Sequence, residues 1–231
     1  MAFVFPPLPQ PALPVTGSND LYPVGRIFCV GRNYAAHAAE MGNEVDREAP
    51  FYFTKSCHHL VQSGASCAYP PGTADYHHEI ELVVALSGDL FRAEAADTWA
   101  AVYGYGVGLD MTRRDLQAEA KAGRRPWDIS KDIEGGAVIG ALTQRAGFGE
   151  MGDQRIALSV NDALRQEAVL SDMVWAVDAL LAHLSGLYHL RAGDLVMMGT
   201  PAGVGAVVAG DRLEGVVDGL DGVSLTLGDA E

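Results

Sequence analysis

The chain has 231 residues, 48% of them hydrophobic and 20% charged, which fits one globular domain or two small ones and excludes disorder over most of its length. Sixteen basic against thirty acidic side chains leave a formal charge of −14, so nucleic acid and anionic membranes are excluded as partners, because both select a basic surface. The three cysteines, Cys29, Cys57 and Cys67, form no CxxC and cannot all pair, which fits a reducing, cytoplasmic setting.

Residues 1–24 carry six of the eleven prolines and predict an extended N-terminal arm on the surface, ahead of a single domain over 25–231. The opening MAFVFPPLPQPALPV has no basic n-region and is broken by prolines, so it does not read as a signal peptide. No apolar run reaches the roughly 18 residues of a bilayer span. RIFCVG (26–31) reads as a short strand, NYAAHAAEMGN as a short helix stopped by Gly42, EVDREAP as a mobile surface loop, and FYFTK (51–55) as a strand. Residues 56–75 form a turn-rich stretch of a length that is either functional or hides short strands.

HEIELVVAL (78–86) is the clearest strand, EAADTWAAV suits a helix, and YGYGVGLD reads as a strand running to Asp110. TRRDLQAEAKAG predicts a helix with Thr112 as N-cap and Gly123 past its end. Three short strands follow, RIALSV, DLVMM and VSLTL, with one amphipathic helix among them. That helix is expected to start at Ser171, to bury Met173, Val174, Val177, Leu180, Leu181 and Leu184, and to end before Gly186. There are no repeats, and the 27 glycines suit many tight turns. Regular βα alternation is too sparse for a doubly wound sheet, so the class is α+β and rich in β.

Chemistry concentrates on two strands. Side chains alternate along a strand, so Glu79 and Glu81 share a face with Val83 and Ala85. Taken alone, a Glu-x-Glu is usually an exposed strand end. On so apolar a strand two like charges repel, and a divalent cation removes the conflict. Asp110 ends the next strand, and three hard carboxylates from two strands suit Mg²⁺ or Mn²⁺, whereas zinc selects His or Cys. His77 and His78 flank the glutamates, and alternation turns His78 to the other face, so both read as supporting residues.

Arg114 and Gln117 share a helix face, while Arg113 lies about 100° round, so at most one of the two arginines aims inward. Lysine is scarce. Lys121 reads as an exposed helix end, whereas Lys55 and Lys131 stand where a compact ammonium is wanted. His37 and Glu40, three apart, meet on one face if their segment is helical, an arrangement that suits a water-activating base on a lid, although an ordinary surface pair has the same spacing. GDLVMMGTPAGVG lacks the nucleotide-loop spacings, but Thr200 and its neighbouring N–H groups could bind a carboxylate. There is no GxSxG, and no cysteine pairs with a local histidine, so a serine or cysteine hydrolase lacks support.

The segments IFCVGRNYAAHAAEMG, HHEIELVVAL, GLDMTRRDLQ, RPWDISK, VNDALRQ and GDLVMMGTPAGVGAVVAGD follow one another over most of the chain. As a set they resemble the fumarylacetoacetate hydrolase (FAH) family. The resemblance implies a mixed β-sandwich roll with a few short helices, usually a homodimer. It implies Glu79, Glu81 and Asp110 as metal ligands, with His37 and Glu40 as a lid dyad. It further implies Lys131 and Gln117 at the transition state, and Arg32, Tyr34, Arg114 and Thr200 on the substrate. Departures from the family pattern fall at Lys55-Ser56, at the histidine-rich tract CHHLVQSGASCAYPPGTAD, and at DIEGGAVIG after Lys131.

What the resemblance implies for function is metal-dependent hydrolysis of the C–C bond of a small 2,4-diketo acid, with fumarylpyruvate giving fumarate and pyruvate as the leading substrate. Acylpyruvate hydrolysis, oxaloacetate decarboxylation and keto–enol isomerisation use the same enolate-stabilising site. A non-catalytic binding protein that kept the fold is the alternative of a different class, motivated by the altered tracts.

Overall fold

A run such as IELVVAL, apolar at every position but Glu81, needs cover on both faces of its sheet. In the computed structural model, which describes residues 3–42, 47–149 and 151–230, that strand (Ile80–Leu86) lies near the middle of an eight-stranded mixed sheet. The strand order is Phe51–Lys55, Arg26–Gly31, Asp194–Met197, Ile80–Leu86, Val102–Asp110, Ala137–Ile139, Leu60–Gln62, with Thr143–Gln144 also on Val102–Asp110. Two pairings are parallel, Asp194–Met197 with Arg26–Gly31 and Ala137–Ile139 with Leu60–Gln62. A five-stranded sheet, Ala163–Val169, Arg155–Val160, Arg212–Val217, Val223–Ala230, Ala65–Tyr69, forms the second layer.

The period of two sorts the core. Ile80, Leu82, Val84 and Leu86 join Ile156, Leu158, Leu213 and Leu225 of the second sheet in the larger core cluster. Val83 and Ala85, on the other face, join Ile27, Cys29, Leu195 and Met197. This is the strand-rich, curled FAH-type architecture with short helices that the resemblance implies. Among the described residues no helix is long and apolar enough to cross a membrane.

Several expectations need correction. The N-terminal arm is not confined to the surface: Leu13, Val15, Tyr22 and Val24 are buried in the second cluster. Two short strands, Ala12–Pro14 and Leu21–Pro23, pair as a ribbon, and proline is tolerated there because a ribbon has open edges. The stretch 56–75 hides the strands Leu60–Gln62 and Ala65–Tyr69. Thr112 is not an N-cap; it pairs with His77 in a third, three-stranded sheet, and the helix is Arg114–Ala122 with Gly123 as C-cap.

The amphipathic helix is Val177–Leu187, later than expected, and Gly186 lies within it. Asn33 explains the delay: its side-chain amide donates to Trp175 O (3.0 Å), its side-chain oxygen accepts from Trp175 N (2.7 Å), and its backbone carbonyl accepts from Val174 N (2.8 Å). These bonds hold residues 174–175 out of the helical turn. The expected loop over 44–50 falls partly on residues 43–46, outside the described residues.

Candidate functional site

Strand pairing assembles the acidic groups. Ile80 lies opposite Leu109 and Glu81 opposite Gly108, and Asp110 N donates to Glu79 O (2.8 Å). Glu79, Glu81 and Asp110 are therefore brought to one face, all buried, each with an oxygen within 4.8 Å of the others. Gly108 has no room for a side chain, since a Cβ there would stand 2.7 Å from Val83 Cγ2. Gly199, at φ +88°, donates its N–H to Glu81 Oε2 (2.7 Å), and a Cβ there would stand 2.8 Å from Asn33 Cβ.

Three cations surround the acids. The Lys131 ammonium donates to Glu79 Oε2 (2.6 Å), Asp110 Oδ2 (2.7 Å) and Thr112 Oγ1 (2.8 Å). Lys55 pairs with Asp110 Oδ1 at 2.8 Å, and Arg114 donates to Glu79 Oε1. Burial alone would push the Glu79 carboxyl up, but Lys131 and Arg114 hold it well below the usual carboxylate range. Glu81 has no ion-pair partner among the described residues; burial first, then Asp110 and Glu79, push its carboxyl well above the usual range.

The donor set fits a hard dication. It offers three oxygens and no histidine or thiol in the cluster, and the unpaired Glu81 is the charge such an ion would balance. With three carboxylates against Lys131, Lys55 and Arg114, the fully ionised cluster is neutral, so a dication leaves it attractive to an anionic ligand.

The helix expectation holds at Arg114, which donates to Gln117 Oε1 (2.7 Å), whereas Arg113 turns away to Ile129 O (3.1 Å). Arg114 Nε also donates to His77 Nδ1 (3.4 Å), and His77 Nε2 lies 2.8 Å from Asp75 Oδ1. His78 is turned to the other face and contacts Gln166 Oε1 (2.9 Å), whose amide donates to Thr200 Oγ1 (2.8 Å). The short helix Ala35–Glu40 carries His37 and Glu40, with Nδ1 to Oε2 at 3.5 Å, and Glu40 accepts from Gly203 N (3.1 Å). Burial, the largest cause, and Arg114 lower the His37 pKa from 6.5, against Glu79 and Glu40, so its imidazole is neutral at pH 7.

A cavity of about 30 Å³ brings His37, Glu79, Glu81, Arg114, Gln117 and Thr200 together, and Arg32 and Lys131 line it too. It shares Arg32, Phe53, Lys121, Trp127 and Lys131 with an adjoining cavity of about 680 Å³. Tyr34 is not among the lining residues; it is buried, and among the described residues its hydroxyl has no hydrogen-bond partner.

All three N–H bonds of Lys131 are occupied by chain atoms, whereas among the described residues the Gln117 amide group has no acceptor; its oxygen takes the Arg114 bond. Sequence reasoning missed Lys55 as an Asp110 partner, Gln166 behind Thr200, and the N–H of Gly199. It also misplaced Lys121, which is half-buried at the cavity. The altered tracts contact each other, Asp132 Oδ1 accepting from Ser56 N (2.8 Å) and lying 2.7 Å from His59 Nδ1.

The family model described as fumarylacetoacetate (FAA) hydrolase C-terminal matches residues 26–226. A fumarylpyruvate hydrolase of Ralstonia sp is 49% identical over 193 residues, covering 83% of this chain and 100% of the relative. An oxaloacetate tautomerase of Escherichia coli is 37% identical over 199 residues, covering 86% of this chain and 90% of the relative. The crystal structure of a fumarylpyruvate hydrolase from Pseudomonas aeruginosa, in complex with Mn²⁺ and pyruvate, superposes with a TM-score of 0.94 at 41% identity, covering 99% of this chain and 100% of that one.

Proposed function

Because this chain belongs to the fumarylacetoacetate hydrolase family, we propose that it is a hydrolase that uses Mg²⁺ or Mn²⁺ to cleave the C–C bond of a 2,4-diketo acid, with fumarylpyruvate as substrate and fumarate and pyruvate as products. The observation that carries this is the buried triad Glu79, Glu81 and Asp110, of which Glu79 and Glu81 line one cavity with a neutral His37. The Ralstonia and Pseudomonas relatives support the substrate. A homodimer, the assembly implied by the resemblance, belongs to the same proposal.

A dication held by the triad supplies Lewis-acid polarisation of the keto acid and charge stabilisation for the departing enolate. The chain does the rest. Among the described residues Arg114 keeps two N–H donors beyond its three bonds and the Thr200 hydroxyl proton has no acceptor, so both can take the pyruvyl carboxylate. His37, steadied by Glu40, takes a proton from water as the oxygen attacks C4. The Gln117 amide donates to the oxygen that gains charge at C4. Lys131 keeps Glu79 and Asp110 ordered, and joins Gln117 only when one of its three bonds is released. The C3–C4 bond then breaks, its electron pair passing to C3, His37 returns its proton to C3 of pyruvate, and the acyl half leaves as a carboxylic acid that loses the second water proton to solvent.

A second reading, oxaloacetate tautomerisation, is favoured by the Escherichia coli relative. The 680 Å³ cavity beyond the triad favours the longer diketo acid, since a four-carbon substrate has no use for it. The experiment is a substrate panel with Mn²⁺ or Mg²⁺: fumarylpyruvate should lose its ultraviolet absorbance, and EDTA should stop the loss. Turnover of oxaloacetate alone would favour the second reading. Inertness toward every 2-oxo acid would leave only a binding role.

A further inference from the structure

The adjoining cavity has a charge opposite to that of the chain. The protein carries a formal charge of −14 with only sixteen cations, yet Arg32, Lys121, Arg124, Arg125 and Lys131 line this one cavity against the single acid Asp128. Lys131 is committed to the acidic triad. Among the described residues, the side chains of Arg32 and Lys121 meet no carboxylate, and Lys121 lies 5.1 Å above the Trp127 ring.

Both are half-buried, and both line the small cavity at the triad as well as the large one. Cations left unpaired in a partly dry site repel each other. The Lys121 pKa is pulled down to about 8 by burial first, then by Arg114 and Arg32.

The position of Arg32 is imposed by the fold. It adopts φ 62°, a strained value for a residue with a side chain. The next residue, Asn33, is fixed by bonds to Met198 O (2.8 Å) and Trp175. The walls are aromatic: Trp127 packs against Phe51 with ring centres 4.8 Å apart and against Phe53 at 5.9 Å. Flat rings beside unpaired cations suit a flat conjugated chain that ends in an anion.

We propose that Lys121, together with Arg32, forms a subsite for a second, distal carboxylate of the substrate, and so selects 2,4-diketo acids whose acyl group is unsaturated and ends in a carboxylate. This rests on the C–C hydrolase reading above. Lys121 is then a specificity residue: its ammonium, which lies over the Trp127 ring, binds the far end of the acyl group.

The test compares fumarylpyruvate with acetylpyruvate, which lacks the distal carboxylate, in the Mn²⁺-loaded wild type, Lys121→Met and Lys121→Arg. Methionine keeps a long unbranched side chain and removes the charge. The ratio of the two kcat/KM values is expected to fall about 10- to 100-fold in Lys121→Met, the range for losing a charge-assisted hydrogen bond. Lys121→Arg should restore most of it. An unaltered ratio in Lys121→Met overturns the proposal.

A calorimetric arm needs no turnover. The wild type should bind fumarate at least about tenfold more tightly than crotonate, which has a methyl in place of one carboxylate. Lys121→Met should erase the difference. Equal binding by the wild type overturns the subsite even where C–C hydrolysis is observed. A fumarate preference without turnover of either diketo acid sinks the hydrolase reading and leaves the subsite standing.

Discussion

Glu81→Gln separates a metal ligand from a structural acid. Glu81 is buried, pairs with no cation among the described residues, and is opposed by Asp110 and Glu79. The hydrogen bond it accepts from Gly199 N, 2.7 Å, can pass to the glutamine oxygen. Replacing a buried carboxyl that has no cation partner among the described residues therefore leaves the metal-free protein within about 1 kcal/mol of the wild type or more stable, unlike the loss of about 3–5 kcal/mol seen when one partner of a buried ion pair is deleted. Metal reverses the comparison. At a hundred times its Kd, an ion bound only by the folded state stabilises by about 2.7 kcal/mol. In a domain of this size that raises Tm by roughly 5–11 °C, at about 2–4 °C per kcal/mol. Thermal unfolding with and without Mn²⁺ reads both numbers. The variant should match or exceed the wild-type Tm in EDTA and lack most of the Mn²⁺ shift. A variant that keeps the full shift, or that loses several kcal/mol in EDTA, refutes the reasoning.

Other predictions follow from the same geometry. His37→Ala should lower kcat by about 10²–10⁴-fold, as removal of a general base does, while the Mn²⁺ shift in Tm survives; loss of both would assign His37 to folding. His37 must be neutral to act and its pKa is lowered from 6.5, so wild-type kcat/KM should hold through pH 7 and fall only below pH 6.5. A kcat/KM that already falls between pH 8 and 7 would contradict this. Gln117→Leu should reduce kcat by about 10²–10³-fold with a smaller change in KM, measured by steady-state kinetics, because its amide acts on charge that develops during the reaction. Gly199→Ala forces a side chain into φ +88° and against Asn33, so it should destabilise by about 1–3 kcal/mol and weaken Mn²⁺ binding through Glu81, both read by thermal unfolding.

Features that short-range periodicity controls were open to sequence reasoning. Alternation along HEIELVVAL put Glu79 and Glu81 with Val83 and Ala85, and strand pairing brought Asp110 to the same face. Helical spacing paired Arg114 with Gln117 and His37 with Glu40. What stayed hidden depends on distant chain contacts. Lys55 meets Asp110 across the sheet, and Gln166 reaches Thr200 from the second layer, with no local pattern to announce either. Lys121 looked exposed because the helix ends beside it; the chain then turns at Arg124, φ 52°, and brings Trp127 back over the ammonium. The prolines of the N-terminal arm reported a missing ladder bond, not exposure, and Leu13 and Val24 filled a core face that the ribbon covers.

Hydrolytic cleavage itself is tested most directly by running the Mn²⁺-loaded enzyme on fumarylpyruvate in isotopically labelled water and weighing the products. The account predicts equal amounts of fumarate and pyruvate, with one labelled oxygen in the newly formed carboxylate of fumarate. Unchanged fumarylpyruvate, or products whose fumarate carries no label, would contradict it.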